Sequence, residues 1–378
     1  MRVYTLKENR FIYNKIEDIN SEIIQGIGEC SSLNLVEAIV LGGGYGRGEG
    51  CISLKNGIPQ LHNDLEYYLF RDGSHRTDSG ERREIVDFMK YMSERHGIDI
   101  EIFDTDTGWL DRQPVTMFTY DLVSKSHIIY GDQSFFSRHT RHLDSSSIEI
   151  SEAERLLYNR LSGILFSLEK INRGYLTQQD TDFVVRNIAK LKLSLGDACL
   201  TVFGNYHWST IERNRALRKL FDHWVILDSD TQERIVALHD EGMAYRMNPS
   251  WGGESLRTLA AEIDDLLELA QPIWQWTQNE SLEQQYIRAR NRNRFQVMEA
   301  LRDRVRNLRY FGISDSLNPY NRLNARERLK KCLWDLIQRQ RYHWVEFQNG
   351  HVARLLNTFP EKADDLISRY QLLWSRLG

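Results

Sequence analysis

Leu41-Gly42-Gly43-Gly44-Tyr45-Gly46-Arg47-Gly48-Glu49-Gly50, followed by Asn63-Asp64-Leu65-Glu66, is the stretch on which the fold of this chain turns. The residues before it, Val36-Glu37-Ala38-Ile39-Val40-Leu41, are a short apolar run that predicts a buried strand. A glycine-rich turn after a strand exposes backbone N–H groups that can cradle an anion, because no Cβ holds the anion off. Asp64 and Glu66 stand at i and i+2 at the start of a second predicted strand, 65–70. Their carboxylates therefore point to one face, while Leu65 and Tyr67 point to the other. A third acidic group follows in Gly97-Ile98-Asp99-Ile100-Glu101-Ile102-Phe103-Asp104, whose alternation predicts a strand over 98–103. Asp99 and Glu101 are again two apart, and either can face the first pair.

Outward from this centre the periodicity changes. Ile16, Ile19, Ile23, Ile24 and Ile27 recur at helical spacing over 14–29, and Ile85, Phe88, Met89 and Met92 do so over 81–96. Asn56-Gly57 is a hairpin turn signal, so 51–62 reads as a small β excursion. The order is α-β-hairpin-β-α-β, a mixed α/β domain expected to end near residue 145. Beyond it the pattern is helical. Ser151-Glu152-Ala153-Glu154 reads as a capping box opening a helix to about 172. Val184, Ile188, Leu191, Leu195, Ala198 and Val202 make one stripe on a helix over 180–203. Further helices are expected at 209–221, 229–243, 252–275, 280–308, 323–346 and 360–377. The fold class expected is thus α+β: a mixed sheet with flanking helices over 1–145, then an all-helical lobe over 146–378.

Bulk properties narrow the function classes. With 378 residues, 41% hydrophobic and 27% charged, the chain reads as a globular protein of two domains. Cys30, Cys51, Cys199 and Cys332 are scattered without C-x-x-C spacing, which argues against a disulfide framework or a zinc site. Met1 to Glu8 lacks the apolar core of a signal peptide, and no run approaches the roughly 18 apolar residues of a membrane span. A soluble, cytoplasmic protein with no membrane partner is expected. The glycines match neither G-x-G-x-x-G nor a P-loop. Net charge is −4, yet between Tyr286 and Val345 fifteen Lys/Arg stand against five Asp/Glu. That stretch reads either as a solvated helix face or as a nucleic-acid contact surface.

Gly43-Gly44-Tyr45-Gly46-Arg47-Gly48-Glu49 resembles the phosphate-binding signature of the DNA polymerase β-type nucleotidyltransferase superfamily, and in particular its version in bacterial uridylyltransferases that modify a nitrogen-signalling protein. The resemblance covers about residues 35–135, including Ser126-His127-Ile128-Ile129-Tyr130-Gly131-Asp132, and is much weaker beyond 150. It implies a nucleotidyltransferase-type sheet and an enzyme that moves a nucleoside monophosphate from a triphosphate, ATP among them, to an acceptor hydroxyl with release of pyrophosphate. The acceptor is a protein, a small molecule or an RNA end. It further implies Mg²⁺, with Mn²⁺ as a substitute, held by Asp64, Glu66 and a third carboxylate. The run Glu101-Ile102-Phe103-Asp104 favours Glu101 for that third place, with Asp99 as the alternative. Two Mg²⁺ ions about 3.5–4 Å apart stabilise the attacking and leaving oxygens of an in-line displacement, and Mg²⁺ prefers hard oxygen ligands.

By the same resemblance Gly43, Gly44 and Arg47 bind the triphosphate, Arg47 and Glu49 brace the loop, and Asn63 steadies the carboxylate strand. Lys190 (or Lys192), on a polar stripe with Ser194, Asp197 and Thr201, neutralises phosphate charge; otherwise that stripe is a solvated helix flank. Two features depart from the family pattern: the spacer from Glu49 to Asp64 is long, and Glu stands at 66 where Asp is commoner. His239-Asp240 is similar to part of a phosphohydrolase site attached to those uridylyltransferases. Its other ligands have no counterpart here, so the pair reads as surface. Trp208, Trp251, Trp274 and Trp276 read as core rather than stacking platforms. Two alternatives remain beside the enzyme. One is a catalytically silent nucleotide sensor on the same fold; the other is a nucleic-acid-binding protein contacting its partner through Arg290, Arg292 and Arg294.

Overall fold

The computed structural model describes residues 2–31, 33–55, 57–62, 64–73, 79–220, 227–249, 254–289, 296–342, 349–358 and 363–377. Helix α1 (Arg10–Cys30) is opened by Asn9, whose side chain accepts from the Ile12 N–H, and it buries Ile12, Ile16, Ile19, Ile23 and Ile27 along one face. The chain then runs through β1 (Val36–Leu41), the single helical turn α2 (Gly43–Gly46), the hairpin β2 (Ile52–Lys55) and β3 (Ile58–Leu61), and β4 (Leu65–Arg71). Next come α3 (Ser79–His96), β5 (Ile100–Asp106), α4 (Trp109–Arg112), α5 (Met117–Ser124) and β6 (His127–Gly131).

The main sheet has the order β5-β4-β1-β6. Strand β1 is antiparallel to both its neighbours, while β4 and β5 are parallel, joined through α3 as a parallel pair requires. One face packs Leu65, Tyr67, Leu69 and Ile100 against the isoleucines of α1 and against Ile85, Met89 and Met92 of α3. The other packs Ala38, Val40, Tyr68 and Phe70 against Leu110, Leu122, Val123 and Phe135. Each fully buried aliphatic side chain contributes about 1.5–3 kcal/mol, so α1 is held by its stripe rather than by helix propensity.

The expected order of elements holds up to β5, which begins two residues later than its alternation suggested. The hairpin occupies the spacer between Glu49 and Asp64. Strand β6 and helix α5 were not expected. Both are short, and α5 owes its start to Thr116, which accepts from the Thr119 N–H while the Thr119 hydroxyl accepts from the Thr116 N–H.

The rest is helical: α6 (Ser151–Asn172), α7 (Gln178–Val202), α8 (Thr210–Lys219), α9 (Ser229–Met247), α10 (Leu256–Ala289), α11 (Gln296–Phe311), α12 (Ala325–Tyr342), α13 (Asn349–Leu356) and α14 (Ala363–Leu377). Helix α10 carries Pro272 inside it and joins what the sequence reads as one helix and the start of the next. Among the described residues after 150 there is no strand, and no described helix is long and apolar enough to cross a membrane. The molecule is therefore a mixed α/β protein with a small mixed sheet and a helical remainder.

Two compact units cut across the sequence. The first takes in residues 1–153 and 192–250, the second 154–191 and 251–378. The expected division at 145 follows the chain, whereas packing groups α8, α9 and the end of α7 with the sheet. Within the second unit, Arg328 and Asp315 form a fully buried ion pair at 2.8 Å, and the Ser162 and Tyr370 hydroxyls lie 2.7 Å apart. All four cysteines are free.

Candidate functional site

The carboxylates come together because of strand register. Glu66 on β4 stands directly opposite Glu101 on the parallel strand β5, so both side chains leave the same face at neighbouring positions. Asp64 lies two residues ahead of Glu66. Asp99 precedes β5, and its carbonyl accepts from the Leu65 N–H at 2.9 Å. Asp64, Asp99 and Glu101 are exposed, and Glu66 is half-buried. Burial pushes the Glu66 carboxyl above its ordinary value, and a 2.8 Å hydrogen bond from the Tyr68 hydroxyl pulls it back. The negative charges of Asp64 and Glu101 raise it again, against Arg47. This end of the sheet thus concentrates negative charge on hard oxygen donors, which fits Mg²⁺ better than a softer metal. Among the described residues, no three His, Cys, Asp or Glu side chains are drawn closely enough to enclose a metal as they stand.

The glycine turn meets the carboxylates directly. Strand β1 runs antiparallel to β4, which brings its end beside the start of β4, and the Gly42 N–H donates to the Glu66 carbonyl at 2.8 Å. Gly43 has φ +60°, and a Cβ there would lie 2.5 Å from Glu66 Oε1. At Gly46 a Cβ would lie 2.2 Å from the Leu41 carbonyl oxygen, so the turn can close only with glycine. Among the described residues, the N–H groups of Gly43 and Gly44 have no hydrogen-bond partner.

Beside this turn an open pocket is lined by Gly43, Arg47, Glu66, Phe118, Asp121, Leu122 and Lys125. Arg47 Nη1 pairs with Asp121 Oδ2 at 3.0 Å. Lys125, the extended residue that follows α5, places Nζ 5.7 Å from the centre of the Trp208 ring. Phe118, Asp121 and Lys125 escaped the sequence reading; their signal was the Thr116 cap, which opens the short helix that carries Phe118 and Asp121 and is followed directly by Lys125.

A buried charge cluster holds the turn in place. Glu49, 4% exposed, accepts from the Ser209 hydroxyl at 2.8 Å and from the Thr210 N–H and hydroxyl, both at 2.9 Å, at the first turn of α8. Arg246 lies 3.9 Å from the same carboxylate and donates to the Thr210 hydroxyl at 3.1 Å. Burial pushes Glu49 up, but Arg246, the Ser209 and Thr210 hydrogen bonds and Arg213 more than offset it, and its carboxyl lies below the usual range. Arg213 pairs with Asp197 at 2.7 Å, and His239 Nε2 stands 3.1 Å from the same Asp197 oxygen. The expectation of a brace at Glu49 fits this geometry.

Three readings of the helical stretch need correction. Ser194, Asp197 and Thr201 are buried rather than a solvated flank, because Asp197 is the counter-ion of Arg213. His239 is fully buried against Asp197 and Asn214, not surface. Trp208 is half-buried beside Lys125. Lys190 is exposed on the part of α7 that belongs to the second unit, and Lys192 pairs with Glu241 at 2.6 Å. Neither is part of the site described. Asn63, Trp251, Arg290, Arg292 and Arg294 lie outside the described residues.

Asp121 provides a pH test. Burial pushes its carboxyl up to about 6, against Arg47, Arg213 and Arg246 and with Asp197 adding to the rise; the Tyr206 hydroxyl faces it at 3.4 Å. An unfolded aspartate titrates near 3.9, so between about pH 4 and 6 the folded chain binds more protons and stability falls as pH rises. Asp121→Asn has no such proton to lose. Its stability relative to the parent is expected to climb across that window, read as a rising difference in melting temperature, and to level off above it, by on the order of 3 kcal/mol at most. A flat difference from pH 4 to 7.5 defeats this. No protein family matches the chain, and no curated protein does.

Proposed function

We propose that this chain is a divalent-metal-dependent nucleotidyltransferase of the DNA polymerase β type, moving a nucleoside monophosphate from a triphosphate to an acceptor hydroxyl. The observation that carries the reading is the in-register pairing of Glu66 with Glu101, with Asp64 two residues ahead and Gly43 packed against Glu66. A lone acidic pair on a strand is commonly just surface. Acidic side chains from two parallel strands, set against a glycine turn with unpaired N–H groups, are the parts that triphosphate and metal binding need.

Asp64, Glu66 and Glu101 would hold Mg²⁺, which when bound supplies charge stabilisation to the oxygens around the α-phosphorus. The acceptor hydroxyl attacks in line and its proton passes to Glu101. The new bond joins the acceptor oxygen to the α-phosphorus as the bond to pyrophosphate breaks. The N–H groups of Gly43 and Gly44, with Arg47, hold the departing phosphates, and Lys125 on the pocket wall takes the part that the sequence reading gave to Lys190. Glu101 rather than Asp99 is favoured as the third carboxylate because Glu101, not Asp99, stands opposite Glu66.

The direct experiment is incubation with each α-labelled triphosphate and Mg²⁺, scoring pyrophosphate release and labelled acceptor. A glycine pair sharpens it. A Cβ on Gly44 would find nothing nearer than 3.6 Å, so Gly44→Ala is expected to keep the fold within about 1 kcal/mol while weakening triphosphate binding at least ~10-fold. Gly46→Ala, driven into the Leu41 carbonyl, is expected to destabilise by more than ~2 kcal/mol. Equal triphosphate affinity in Gly44→Ala and the parent, read by calorimetry, counts against the cradle.

A further inference from the structure

The open edge of β5 carries Glu101, and its free backbone faces away from the sheet. Within β5 the odd-numbered residues address β4: Leu65 N–H donates to the Asp99 carbonyl and Thr107 N–H to the Arg71 carbonyl, both at 2.9 Å. The even-numbered residues therefore turn N–H and C=O outward. Ile100, the first of them, is satisfied by Ser93 of α3, whose hydroxyl oxygen accepts from the Ile100 N–H at 2.9 Å. The next, Ile102, has no hydrogen-bond partner for either backbone group among the described residues. Strand β5 has no neighbour on that side in the sheet order and contains no proline. An edge of this kind is a template for one more strand.

Resting on the transferase reading, we propose that the acceptor is an extended peptide segment that pairs with the β5 edge at Ile102 and presents a side-chain hydroxyl to Glu101. A strand added there lies about 4.8 Å from β5. Its residue opposite Ile102 exchanges backbone hydrogen bonds, and the residues on either side of that one send their side chains to the face of Glu101 and Phe103. One of these two places the hydroxyl beside Glu101, and its oxygen displaces pyrophosphate from the α-phosphorus while its proton passes to Glu101. The other meets Phe103, which is 42% exposed, and so is apolar. The acceptor motif is thus a hydroxyl residue and an apolar residue two apart. Asp99 and Glu101 are exposed and have no ion-pair partner among the described residues, which favours cationic residues flanking the motif.

The test uses the full chain, α-labelled triphosphates and synthetic 13-residue peptides. Each peptide has Lys at both ends, one Ser, Thr or Tyr, and one Leu placed one, two or three residues away. Spacing two is expected to be labelled at least ~10-fold faster than spacing one or three, because period-2 geometry puts only that pair on one face. N-methylation of the residue between the two is expected to abolish labelling, whereas N-methylation of the hydroxyl residue, whose N–H points away from β5, is expected to leave it. Ile102→Pro removes the outward N–H without touching the ladder to β4; it is expected to cut peptide labelling at least ~10-fold and leave Mg·triphosphate binding by calorimetry unchanged. Labelling indifferent to spacing and to N-methylation overturns the proposal, as does triphosphate binding with no labelled peptide. Absence of binding of all four triphosphates overturns the transferase reading itself, and this acceptor with it.

Discussion

Asp64→Asn is expected to lower nucleotidyl transfer at least ~10³-fold, about 4 kcal/mol in the barrier, while triphosphate binding persists within about tenfold. Asparagine keeps the shape and one oxygen but removes a full negative charge from a site built of three. The same change takes away a like charge acting on Glu66, so the folded chain is expected to be no less stable. Loss of transfer with intact melting therefore separates chemistry from folding. Glu101→Gln is expected to match this loss, and Asp99→Asn to fall short of it by at least ~10-fold, since Glu101 alone stands opposite Glu66. A silent nucleotide sensor makes the contrary expectation: tight Mg·triphosphate binding in the parent, no transfer in any variant, and no response to Asp64→Asn. Single-turnover kinetics beside calorimetry decide between the two.

Glu49→Ala is expected to destabilise the first unit by about 3–5 kcal/mol, lowering its melting temperature by roughly 10 °C. The change deletes the acceptor of three donors from Ser209 and Thr210, and leaves the buried Arg213 and the half-buried Arg246 with one counter-charge fewer. Glu49→Gln retains an oxygen acceptor and is expected to lose about half as much. Both variants are expected to weaken triphosphate binding, because the Glu49 N–H donates to the Gly44 carbonyl and so ties the clamp to the turn. Parent-like melting of Glu49→Ala in a thermal scan shows that the cluster does not hold the turn.

Much of the sheet unit was legible, for identifiable reasons. The isoleucine stripe of α1 and the alternation around Glu101 are local patterns that burial makes unambiguous. The glycine turn and its carboxylates could be read because period 2 fixes the face on which Asp64 and Glu66 stand. Only the structure supplied the register, Glu66 opposite Glu101, because nothing local encodes which residues of two parallel strands meet. Asp121, Arg213 and Arg246 were illegible for the same reason. Each looks like an ordinary charged residue on a helix, and each gains meaning from an ion-pair partner 16 to 197 residues away in the chain. His239 misled because a buried histidine and a surface one have the same sequence signature until Asp197 and Asn214 are seen beside it.

The bond between Glu49 and Ser209 spans 160 residues of chain. During synthesis the glycine turn therefore emerges long before the helix start that fixes it. A growing or truncated polypeptide ending short of Ser209 carries every acidic residue of the site yet lacks the anchor for its loop. On the proposed reading, the turn is therefore held ready for triphosphate only once the chain has been made as far as Ser209.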